Sequence, residues 1–98
     1  MRNAAGITIA DYIPKGHINA RKAPELRKAT GLDARTIRAL IHRERLNGTP
    51  IVNDMQTGYF IATNADECKR FARSMRSRAR EIMKVADIIA EIDPESAV

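Results

Sequence analysis

The side chains best suited to chemistry in this chain lie between Asp33 and Asn47. If Ile37, Leu40 and Ile41 turn inward on a helix, the 3.6-residue period places Arg35, Thr36, Arg38, Ala39, His42 and Arg43 on or beside the outward face. An arginine fork there matches the O6 and N7 acceptors of guanine, a pairing worth about 1–3 kcal/mol of base discrimination. Thr36 and His42 can bond phosphates or base edges, and the small Ala39 permits close approach of a groove floor. Lys22, Lys28 and Arg45 flank the face and suit phosphate oxygens. A solvated helix surface can carry the same residues, so the neighbouring elements must decide between the two.

Other chemistry finds little support. His17 and His42 have no cysteine or second histidine at ligand spacing, no Gly-rich phosphate loop of the GxxxxGKS type occurs, and the carboxylates are scattered. Cys68 is the only cysteine, which excludes an intrachain disulfide and a cysteine-based zinc cluster. The expectation is a protein that is not an enzyme and takes no cofactor and no metal. Tyr59 and Phe60 are too few to form a stacking platform for single strands.

The elements that position the outward face follow from turn and cap residues. A short first helix is expected over 7–13, where Ile9, Tyr12 and Ile13 share a face and Pro14 with Gly16 stops it. A second spans 22–30, with Pro24 in its first turn and Gly31 after it. Asp33 is a good N-cap for a third helix over 34–47, closed by Gly48. Pro50 ends helical structure, and Ile51-Val52 and Tyr59-Phe60-Ile61 form two short strands around a polar loop. Asn53, Gln56 and Thr57 in that hairpin can bond phosphates, although no Lys or Arg lies between Thr49 and Glu67.

Leu26, Gly31, Leu32, Ile37 and Leu40 have the spacing of a helix-turn-helix, and the run GLDARTIRALIHRERLNGTPI followed by GYF adds a hairpin to it. The stretch from about Ile9 to Ile61 resembles the small winged-helix proteins of bacteria and their phages and prophages. Arg27 stands where that pattern usually has a small residue, and Glu44 where an apolar one is common. The resemblance implies a mainly α fold, a winged helix-turn-helix with a three-helix core, a two- or three-stranded β wing and a long C-terminal helix. It further implies that helix 34–47 enters the major groove of double-stranded DNA while the wing touches the backbone or minor groove, as in a transcriptional regulator.

The last helix is expected from a cap at Thr63 or Asn64 to Ile92, about 28 residues and roughly 42 Å. Phe71, Met75, Arg78, Ile82, Val85, Ile89 and Ile92 alternate steps of four and three, a heptad seam interrupted by one arginine. Ile82, Val85, Ile89 and Ile92 are the candidate dimerisation residues. If the dimer is two-fold, its DNA site is an inverted repeat with half-sites about 34 Å apart, or a multiple of that. The domains expected are 1–63, the DNA-binding unit, and 64–98, the C-terminal helix, its first half packing on that unit and its second half dimerising, with 1–5 and 94–98 fraying.

Ninety-eight residues with 17 basic and 12 acidic side chains, a formal charge of +5, suit one domain with an appendage and a polyanionic partner. No apolar run approaches the length needed to span a bilayer and no secretory signal is legible, so a cytoplasmic protein with no membrane role is expected. Two alternatives stay open. One is a phage replication or recombination accessory protein, which needs the same DNA-reading head. The other is an adaptor, in which the winged helix is a scaffold and the C-terminal helix docks a protein partner. RNA binding is a weaker third option, since no RNA-module motif is present.

Overall fold

The computed structural model describes residues 6–96. Masses of apolar side chains are few in so short a chain, and they gather from four separate elements. The 3₁₀ turn Ile9–Tyr12 leads to a second at His17–Asn19; then come helices α1 (Ala23–Thr30) and α2 (Ala34–Leu46), strands β1 (Ile51–Asp54) and β2 (Gly58–Ile61), and helix α3 (Ala65–Glu91). The protein is mainly helical, with one two-stranded antiparallel sheet and a long C-terminal helix. Two compact units divide it, Met1–Cys68 and Lys69–Val98, so the first turn of α3 belongs to the first unit.

The first unit is built around Ile9, Ile13, Leu26, Ile37, Leu40, Ile41 and Ile51, with Leu32, Tyr59 and Ile61 packed against them. Burying a side chain such as Ile9, Leu26 or Ile51 completely contributes about 1.5–3 kcal/mol each. The α1–α2 turn follows the sequence closely. Gly31 adopts φ 74°, the left-handed conformation that lets its N–H close on the Arg27 carbonyl at 2.8 Å. The Asp33 carboxylate accepts from the Thr36 N–H at 2.8 Å as the N-cap of α2. Lys22 precedes α1, but its side chain has no acceptor oxygen for a cap. There, Glu25 reaches back to the Lys22 N–H at 3.4 Å.

The first helix expected over 7–13 is instead the single 3₁₀ turn Ile9–Tyr12, with Thr8 and Ile13 extended on either side. A nucleus this short gains too few hydrogen bonds to propagate, and Pro14 stops it. The core of the first unit therefore holds two α-helices and a turn in place of three helices. The sheet has two strands, registered Ile51↔Ile61, Val52↔Phe60, Asn53↔Tyr59 and Asp54↔Gly58. The far edge of β2 is covered by single bridges from Lys15 to Ile61 and from Arg21 to Tyr59, which leaves little of it open to another strand.

Asn64 takes the cap of α3, its side-chain oxygen accepting from the Glu67 N–H at 2.9 Å, while the Glu67 carboxylate accepts from the Thr63 N–H at 2.8 Å. The helix ends at Glu91, and residues 94–96 turn over the Asp93 carbonyl. The fraying expected for 1–5 and for 97–98 lies outside the described residues.

Candidate nucleic-acid interface

Helix α2 presents its two faces as the period requires. Ile37, Leu40 and Ile41 are buried, and Arg35, Arg38, Ala39, His42 and Arg43 are exposed, with Thr36 half-buried at the edge. Glu44, the one acid within α2, lies on the inward side of the same wheel. Its carboxylate accepts from the Ile9 N–H at 2.6 Å and the Ala10 N–H at 2.9 Å, donors that no earlier residue of that 3₁₀ turn supplies with a partner. The arrangement accounts for an acid where an apolar residue is common: Glu44 caps the first turn of the chain from α2. It also leaves the outward face of α2 without any carboxylate of its own.

Lys22 and Lys28 are exposed, as phosphate contacts must be. Arg45 is different, since its Nε donates to the Ile51 carbonyl at 2.7 Å and ties α2 to β1. Arg21 is likewise engaged in the fold, donating from Nη1 to the Tyr12 carbonyl at 3.1 Å. Leu46, absent from the residues expected at the face, is 75% exposed on the outward side of α2 beside His42 and Arg43. The signal was present in the wheel but weaker than the charges beside it.

In the hairpin, Asn53 and Thr57 are half-buried and Gln56 is exposed. Thr57 is already hydrogen-bonded: its Oγ1 lies 3.1 Å from His17 Nε2, which also meets Asp54 Oδ2 at 2.9 Å. The His17 ring stands edge-on to Phe60, centroids 5.3 Å apart. His17 thus fastens the hairpin tip to the 3₁₀ turn it belongs to, a role that no local spacing signals because its partners are 37 and 40 residues away. His17 Nε2 serves both contacts, so they do not form a relay of the kind that activates a nucleophile.

Three carboxylates have lowered pKa values, each held chiefly by a backbone N–H. For Asp33 the Thr36 N–H contributes most, followed by the Thr36 hydroxyl. For Asp54 it is the Gln56 N–H and then His17; for Glu67 it is the Thr63 N–H. Among the described residues no group of three His, Cys, Asp or Glu side chains is placed to hold a metal ion. Among the described residues no helix is long and apolar enough to cross a membrane.

The expected dimerisation residues are all exposed: Ile82 by 70%, Val85 by 56%, Ile89 by 62% and Ile92 by 46%. They lie in the second unit. No family model, curated protein or solved structure matches this chain.

Proposed function

We propose that the chain is a sequence-specific binder of double-stranded DNA, a winged helix-turn-helix transcriptional regulator that inserts α2 into the major groove. The observation that carries this is the division of charge on α2. The sole acid turns inward to hold the N–H groups of Ile9 and Ala10, and the outward face offers Arg35, Arg38, His42 and Arg43 around the small Ala39. Thirteen residues of α2 give a rod of about 20 Å, and its N-terminal two turns carry Arg35 and Arg38. Those two arginines are the base-reading candidates. His42 and Arg43 follow along the groove, and Lys22 and Lys28 take phosphates, which fix register without carrying sequence information.

The hairpin contributes less charge. With Thr57 bonded to His17 and no basic residue in the loop, Gln56 and Asn53 are its available polar contacts. The wing in this account is a steric guide on the backbone beside α2.

Selection from a pool of random duplexes tests the proposal. Repeated rounds should converge on a motif, and Arg35→Ala or Arg38→Ala should relax preference at one base position each, by about 1–3 kcal/mol. A pool that stays random after selection would remove sequence-specific recognition.

A further inference from the structure

An apolar stripe runs along α3 from Met75 to Ile89, and Ile92, just past the helix end, continues it. Met75, Ile82, Val85, Ile89 and Ile92 occupy five of its seam positions and Arg78 the sixth, while Met83 and Ile88 widen it. All of these apolar side chains are exposed, from 43% at Met75 to 70% at Ile82. A contiguous apolar surface of this kind marks an interaction site.

We propose that the stripe pairs with the same stripe of a second copy, the two α3 helices running antiparallel. The seam positions 75, 78, 82, 85, 89 and 92 are separated by steps that read the same in both directions. An antiparallel copy can therefore overlap every one of them. Met75 then faces the partner's Ile92, Arg78 faces the partner's Ile89, and Ile82 faces the partner's Val85, in a two-fold interface where each contact occurs twice.

Charge chooses the direction. Residues 69–80 hold six basic side chains and no acid, whereas 81–96 hold Glu81, Asp87, Glu91, Asp93 and Glu95 against Lys84 alone. Within one chain Glu81, at the start of the acidic half, pairs with Lys84 at 3.6 Å. In the antiparallel register the basic half of each helix runs level with the acidic half of its partner, Arg76 at the height of the partner's Glu91 and Arg80 at that of the partner's Asp87, a match of long-range field and not of contact pairs. Arg78 lays its stem along the partner's Ile89 and carries its charge out of the seam to water. A parallel pair would instead set Arg78 against its own copy across an apolar seam and align basic half with basic half, an arrangement penalised by like-charge repulsion. The small Ala79 and Ala86, which border the seam, leave the arginine stems room.

The pairing requires no DNA, so its failure and that of the DNA proposal are separately visible. The test uses the full chain with Cys68→Ser, which removes the native thiol. Met75→Cys and Ile92→Cys chains are prepared singly, mixed, and oxidised under non-denaturing conditions. The mixture should form a 75-to-92 disulfide between copies while neither variant links to itself, because a disulfide needs Cα atoms within about 7 Å. Sedimentation equilibrium should show a dimer. Arg76→Glu with Arg80→Glu should weaken that dimer about tenfold, by setting acid level with acid, and adding Asp87→Lys with Glu91→Lys should restore it. Self-linking at 75 and at 92 would mean parallel helices, and a charge swap without restoration would refute the register. A monomer at roughly 100 μM, weaker than an apolar seam of this length gives, would hand the stripe to a different protein. Each of these three results overturns the proposal.

Discussion

Glu44 shows how much a single side chain can settle here. It occupies the buried stripe of α2 where charge is costly, and it is tolerated because both oxygens accept backbone donors from Ile9 and Ala10. Glu44→Ala should therefore lower unfolding stability by about 1–3 kcal/mol in urea titrations, the cost of stranding donors at a part-buried site, and Glu44→Gln by less because one acceptor remains. A Glu44→Ala protein as stable as the parent would mean that water satisfies those N–H groups equally well. Gly58 carries a second constraint. At φ 108° it faces the Arg21 backbone so closely that a Cβ would lie 2.3 Å from the Arg21 carbonyl oxygen, and the neighbouring atoms are backbone too and cannot swing aside. Gly58→Ala should cost more than about 2 kcal/mol in the same assay. In the sequence Gly58 is simply one glycine of a hairpin. Its demand arises from Arg21, 37 residues earlier, whose N–H and carbonyl both bond Tyr59.

Elements whose ends are written in local residue types were legible from sequence: α1 stops at Gly31, α2 starts at Asp33, and α3 starts beside Asn64. The sheet was legible too, from Pro50 and the polar loop before Tyr59. The expected helix over 7–13 was not realised, since its apolar period is compatible with one 3₁₀ turn and the Glu44 carboxylate that holds that turn is remote in sequence. The candidate site divided similarly. The exposed face of α2 came from periodicity alone, whereas the engagement of Arg45 with Ile51 and of Thr57 with His17 depends on tertiary contacts. The caps also predict acid sensitivity. Asp33, Asp54 and Glu67 each titrate below their ordinary values of 3.8, 3.8 and 4.5, because backbone N–H groups favour the ionised form. In that window the unfolded chain binds more protons than the folded one. The stabilisation is complete above the ordinary values and is lost as pH falls through the lower, folded-state values. Thermal melts should show a lower Tm at acid pH than near neutrality, and an Asp33→Asn, Glu67→Gln variant, whose caps cannot titrate, should show a smaller drop. An equal drop in both proteins would assign the acid sensitivity to general charge repulsion.

Over the whole molecule, charge is unevenly distributed. The formal +5 conceals a basic helix face on the first unit and a second unit whose charge reverses along α3. The first suits a polyanion, and the second suits a copy of itself. The antiparallel pairing would give two α2 faces related by a two-fold axis, so the selected DNA motif should be an inverted repeat; a direct repeat would contradict the symmetric dimer. On the proposed reading, Asp87, Glu91, Asp93 and Glu95 would repel phosphates and leave DNA to the first unit.

The central claim, that the outward face of α2 holds DNA, is tested most directly by titrating labelled duplex with the full chain across a salt series, beside an Arg35→Ala, Arg38→Ala, Arg43→Ala variant. These three side chains are exposed, so the fold should survive their removal, as circular dichroism can check. Log affinity should fall linearly with log salt, by about 0.9 per phosphate neutralised, and the folded variant should lose binding. A wild-type chain that fails to bind even at low salt, or a folded variant that binds as tightly as its parent, would contradict it.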